Sequence, residues 1–176
     1  MKSLRIGIAL LLCVATLAPA WADEKTDRLV TTFAKVCLAK PDSMSAMNTL
    51  AAAQGFALDK SGAATLADRQ ADSFNLLLNW TPAVGDSQMR LTGLTSGNID
   101  RYELGCVLDG YGMLPQDVVA ALKPMLGEPA RRSAKENGWI ELAWTGDVTL
   151  SFKEGGQGQR IGLTLVQMLG KSAKRQ

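Results

Sequence analysis

The sequence predicts an α+β domain, an antiparallel sheet of five or six strands with helices on one face and one disulfide. Three observations predict it. Apolar residues recur at helical spacing near the start and in one later segment. Two-residue alternation fills most of the rest. Short turn signals join the alternating runs, with no β-α-β pattern between them.

The helices come first. Leu29, Val30, Phe33, Val36 and Cys37 define an amphipathic helix over residues 25–39. Lys40-Pro41 ends it, because the residue before a proline is pushed out of the α region. Asp42 or Ser43 can cap a second helix with Met44, Met47, Leu50 and Ala51 on its stripe, and Gly55 suits the left-handed stop, with Phe56 folding back onto the last turn. Residues 63–71 have the pattern of one or two further helical turns.

Alternation then takes over. Phe74, Leu76, Leu78 and Trp80 mark one strand, residues 89–94 a second, and Tyr102, Leu104, Cys106 and Leu108 a third. Pro115 opens a helix carrying Val118, Val119, Leu122, Met125 and Leu126, and Gly127 stops it. Residues 128–138 are polar. Ile140, Leu142 and Trp144, then Val148, Leu150 and Phe152, then Ile161, Leu163 and Leu165 close the chain as a meander.

The first residues set the compartment. Met1–Arg5 is a basic start, Ile6–Leu17 an apolar run, and Ala20-Trp21-Ala22 a small-residue cleavage triplet. That pattern predicts a signal peptide over residues 1–22 and a single domain over 23–176, in the periplasm or secreted. Losing 22 of 176 residues leaves 154, enough for one domain with a real core. Lys2 and Arg5 leave with the leader, so 19 basic residues fall to 17, equal to the 17 acidic ones. A neutral chain has no field to draw it onto nucleic acid or anionic lipid, so neither is expected as a partner. After leader removal no integral membrane segment remains, and Lys171, Lys174 and Arg175 read as a solvated tail.

Cys13 also leaves, and Cys37 and Cys106 remain. An even pair in an oxidising space predicts a disulfide, worth about 4 kcal/mol for a loop of this length. Each cysteine falls on a predicted buried face. There is no C-x-x-C, so the bridge reads as structural.

The chemistry is defined mostly by what is missing. The chain has no histidine, which removes the commonest general base and zinc ligand. No G-x-S-x-G or P-loop occurs. No cofactor, metal or catalytic residue is expected. Asp59, Asp68 and Asp72 lack the spacing of a calcium loop. Asp109 and Tyr111, interleaved with Gly110 and Gly112, form one candidate ligand patch, although a turn explains the same residues. Arg131, Arg132 and Trp139 form a candidate contact patch for a protein or a glycan.

The leading expectation is a non-enzymatic binding module acting on a protein or envelope component, in the manner of small envelope inhibitors and immunity-type proteins. A carboxylate-dependent cell-wall hydrolase is the alternative, with Glu103 and Asp109 as the pair to inspect. A third reading is a periplasmic small-ligand protein with a pocket shaped by Met44 and Met47.

Several segments stand in a recognisable order: Phe33-x-x-x-Cys37 with Pro41-Asp42, the run AAAQGF at 51–56, Leu104-Gly105-Cys106, and Pro115-x-x-Val118-Val119 ending at Leu126-Gly127. In this the chain resembles a group of small exported proteobacterial proteins of unknown function. The resemblance implies an exported, single-domain, cysteine-paired protein and carries no activity, ligand or site residue with it.

Overall fold

The computed structural model describes residues 24–67, 75–83, 88–97, 102–145, 147–153 and 160–169. The predicted leader, Asp68, Asp72, Phe74 and the basic tail lie outside these residues. Helix α1 (Glu24–Val36) buries Leu29, Val30, Phe33 and Val36. Its acids Glu24 and Asp27 sit in the first turn and Lys35 in the last, the arrangement the helix dipole favours. Helix α2 (Met44–Ala53) is capped by Ser43, whose Oγ accepts the Ala46 N–H at 3.2 Å. Strand β1 (Phe56–Leu58) and helix α3 (Lys60–Ala67) follow. Strands β2 (Leu77–Pro82), β3 (Met89–Gly97) and β4 (Tyr102–Tyr111) complete the first half. Helix α4 (Pro115–Leu126) then leads to β5 (Arg131–Ala134), β6 (Trp139–Ala143), β7 (Val148–Lys153) and β8 (Arg160–Leu169).

All eight strands join one antiparallel sheet in the order β1-β2-β3-β4-β8-β7-β6-β5. The α+β class and the antiparallel sheet match the sequence expectation, but the sheet has eight strands and not five or six. The two additions, β1 and β5, are the outermost strands. Each has three or four residues and pairs on one side only, so neither needs the alternating apolar pattern by which a half-buried strand is recognised. Phe56 does not merely fold back onto α2; it starts β1 opposite Pro82. The polar run Arg131-Arg132-Ser133-Ala134 makes β5, and charged residues on an edge discourage pairing with another chain.

The core lies between the helices and one face of the sheet. Trp80, Leu91, Leu104, Leu108, Leu150 and Leu163 are fully buried there, together with Phe33, Met44, Met47 and Leu122 from the helices. Two glycines let helices lie close to the strands. A Cβ on Gly93 would stand 2.8 Å from the sulfurs of both Met44 and Met47, and one on Gly110 would meet Leu29 and Met113 at 2.9 Å. Trp80 donates its Nε1–H to Asn48 Oδ1 at 2.8 Å, which satisfies the polar atom of a buried indole. Cys37, one residue past the end of α1, bridges to Cys106 near the middle of β4, with 5.5 Å between the Cα atoms. The disulfide therefore pins the first helix to a central strand.

Candidate functional site

Successive residues of a strand point to opposite faces of the sheet. The helices take the face that carries Trp80, Leu91, Cys106 and Leu163. Among the described residues, no helix packs over the other face. Register across the strands fixes what that open face displays.

At one end runs a transverse row. Tyr111 lies opposite Arg160. The β7–β8 register, which pairs Phe152 with Ile161, brings Lys153 beside Arg160. Lys153 lies opposite Trp139, and the Lys135 N–H donates to the Trp139 carbonyl at 2.8 Å. The row thus reads aromatic, cation, cation, aromatic, cation. Tyr111 is 41% exposed, Trp139 is half-buried, and Lys135, Lys153 and Arg160 are exposed.

One row further in, Arg90, Asp109, Gly162, Ser151, Glu141 and Ser133 lie side by side. Asp109 is nearly buried although it is on the open face, because Arg160 lies over it. The Arg160 Nε–H and Nη2–H donate to Asp109 Oδ1 and Oδ2, each at 2.8 Å. This bidentate bond, set against partial desolvation, raises the affinity of the guanidinium for its proton above the usual arginine value. Gly162 leaves room for the carboxylate, since a Cβ there would be 3.2 Å from Asp109 Oδ1. Glu141 is flanked in the same way, with Arg131 at 3.8 Å and Lys135 at 3.6 Å.

The opposite end of the open face is apolar. Leu77, 62% exposed, pairs with Leu94, which folds over Gly105. Val166 follows across β4, and Met168, 44% exposed, lies one row beyond. A shallow depression of about 290 Å³ opens at the β6–β7 turn, lined by Arg131, Ala143, Trp144, Asp147, Val148 and Thr149 among others.

The candidate residues are redistributed by this register. Asp109 and Tyr111 are not in a turn; both lie within β4, which the long pairing with β8 extends to Tyr111. The turn starts at Gly112, whose φ is +76°. Arg131 and Trp139 share the open face. Arg132 points the other way, being paired with Leu142, since neighbours in a strand cannot face the same side. Cys37 and Cys106 are spent in the bridge. Met44 and Met47 are fully buried and fill the space over Gly93. Asp59 has a local role. Its Oδ1 accepts the Gly62 N–H at 2.6 Å and the Ser61 hydroxyl at 2.9 Å at the start of α3. Those bonds, the Gly62 one foremost, hold its carboxyl below the ordinary aspartate value.

Arg90, Lys135, Lys153 and Arg160 were not singled out by sequence. The signal for Arg160 was present, since it is out of phase with Ile161, Leu163 and Leu165. Its neighbours depend on register, which no periodicity encodes. Among the described residues, no helix is long and apolar enough to cross a membrane, and no group of three or more His, Cys, Asp or Glu side chains gathers as a metal site. Comparison of the chain with protein-family models, with curated proteins and with solved structures finds no match.

Proposed function

We propose that this protein is an exported, disulfide-stabilised binding module of the bacterial envelope, without catalytic activity, and that it engages its partner through the open face of the sheet. The observation that supports this reading is the one-sided cover of an eight-stranded sheet, which leaves tryptophan, tyrosine and arginine side chains facing outward. These are the residue types that dominate binding energy at interfaces. The predicted leader and the missing histidine support the same reading.

The carboxylate pair weighs against the hydrolase alternative. Glu103 and Asp109 are six residues apart on one strand, about 20 Å along it. Two-carboxylate glycoside hydrolysis needs about 5–10 Å. Asp109 is moreover bound by Arg160 at both oxygens.

Site-specific photo-crosslinking in the intact envelope tests the proposal. Probes at Leu77 and Lys153, on the open face, are expected to give discrete adducts, and a probe at Lys123, exposed on α4, to give none. Adducts from Lys123 alone, or a chain retained in the cytoplasm, would refute it.

A further inference from the structure

We infer that the part of the open face formed by β4, β8, β7 and β6 binds an acidic glycan, a carbohydrate chain bearing carboxylates, laid across the strands along the Tyr111–Arg160–Lys153–Trp139 row. This rests on the open-face reading above and adds the chemical class of the partner.

Charge comes first. Over the three rows nearest this end, the face carries Arg90, Arg131, Lys135, Lys153 and Arg160 against Asp109 and Glu141. Both acids are already engaged within the sheet, Asp109 by Arg160 and Glu141 by Arg131 and Lys135. Among the described residues of these rows three positive charges are left in excess, on a chain that is neutral once the predicted leader is removed. The partner that complements them is anionic.

The side chains between the charges decide its class. Ser133, Thr149, Ser151 and Thr164 are half-buried on the same surface, and Ala143 is its only aliphatic residue on β5, β6 and β7. The core of a protein–protein interface is depleted in charge and rich in apolar anchors. This half of the face has the opposite composition, one suited to a hydroxyl-rich, hydrated polyanion. The apolar end, with Leu77, Leu94, Val166 and Met168, is the part that resembles a protein-binding surface.

Shape agrees. The two aromatics stand three strand spacings apart, about 14 Å, with two cations between them. Rings at that separation can stack on the apolar faces of separate sugars while Arg160 and Lys153 meet carboxylates. The row runs across the strands and offers no backbone hydrogen-bonding edge, which an extended peptide would use. The depression at the β6–β7 turn, lined by Arg131, Ala143 and Thr149, lies four residues along β6 from Trp139, about 13 Å from the row.

The test is binding of the mature protein to polygalacturonate, with neutral dextran and poly-L-glutamate of matched charge as comparison probes. The expected result is saturable, salt-sensitive binding to polygalacturonate, about tenfold tighter than to either comparison polymer. Lys153→Glu is expected to weaken it about tenfold, and Trp139→Ala to weaken polygalacturonate without changing poly-L-glutamate. Should Trp139→Ala fail to fold, Lys135→Glu provides a second surface variant on an exposed side chain. Equal binding to poly-L-glutamate would mark a surface that reads charge alone and overturn the inference. So would no binding to polygalacturonate, or binding indifferent to these variants. The crosslinks at Leu77 and Lys153 separate the two failures. If they persist while polygalacturonate fails, the glycan class is wrong and the open face stands. If they vanish, the open-face reading falls.

Discussion

Residues 24–111 and residues 115–169 each open with helical structure and contribute four antiparallel strands, with α3 inserted between β1 and β2 in the first, and in each the fourth strand lies innermost, so that β4 and β8 meet at the centre. The first half is fastened far more firmly. Two helices and a disulfide press on β3 and β4, and Leu29, Phe33, Met44, Met47 and Trp80 are fully buried. The second half has one helix, which buries only Val118 and Leu122, and Leu142 and Phe152 toward its edge are half-buried. Its cations and hydroxyls face outward. One plan thus supports a half packed tightly under two helices and a half whose outer surface is left charged and hydroxylated.

The largest expected effect falls on the first half. Removing the bridge with Cys37→Ala and Cys106→Ala together should lower unfolding free energy by about 4 kcal/mol in denaturant titrations. A loss under about 1 kcal/mol would erase the contrast between the halves. Next comes the central seam. Arg160→Ala removes both hydrogen bonds to the Asp109 carboxylate and its cover, and is expected to cost about 1.5–3 kcal/mol, held down because water then reaches the carboxylate. Asp109→Asn leaves Arg160 in water and should cost less, about 1–2 kcal/mol. The reverse order in thermal melts would show that the pair is held by something other than Asp109 burial.

Two glycines sharpen the comparison. Gly93→Val drives a side chain into Met44, Met47 and Trp80 and should cost about 1–3 kcal/mol. Gly162→Ala meets one carboxylate oxygen on the open face and should cost less than about 1 kcal/mol. Similar losses in paired denaturation curves would mean the open face is packed as tightly as the core.

The smallest effect is local and pH-dependent. Asp59 has a lowered native pKa, so its contribution is full above its unfolded value, about 3.9. It is lost as pH falls through the lower native value. Asp59→Ala should therefore cost about 0.5–2 kcal/mol at neutral pH and progressively less below about pH 4. A difference from wild type that stays constant down to strongly acidic conditions would disprove the capping role.

What the sequence disclosed follows the same division. The six inner strands were legible because each buries one face, which writes a two-residue alternation into the chain. The helix boundaries at Ser43, Pro115 and Gly127 were legible because each has its own backbone chemistry. FAL at 56–58 buries Phe56 but is too short for a two-residue alternation to show, and RRSA at 131–134 has no buried face at all; both are strands because a neighbour offers hydrogen bonds. Strand phase placed Glu103 and Asp109 away from the core, but the candidate surface needed register as well. Trp139 pairs with Lys153, and Tyr111 with Arg160, only because β8 inserts between β4 and β7. Contacts between strands so far apart in sequence leave no periodic trace.

That insertion has a temporal consequence. The last described strand in sequence is also central in space, so the two meanders cannot be joined until residues 160–169 are available. A nascent chain lacking them has β4 and β7 each with an open hydrogen-bonding edge, and Asp109 without its guanidinium. Pairings this distant in sequence form slowly. A chain that closes its middle last keeps its two meanders apart for longest.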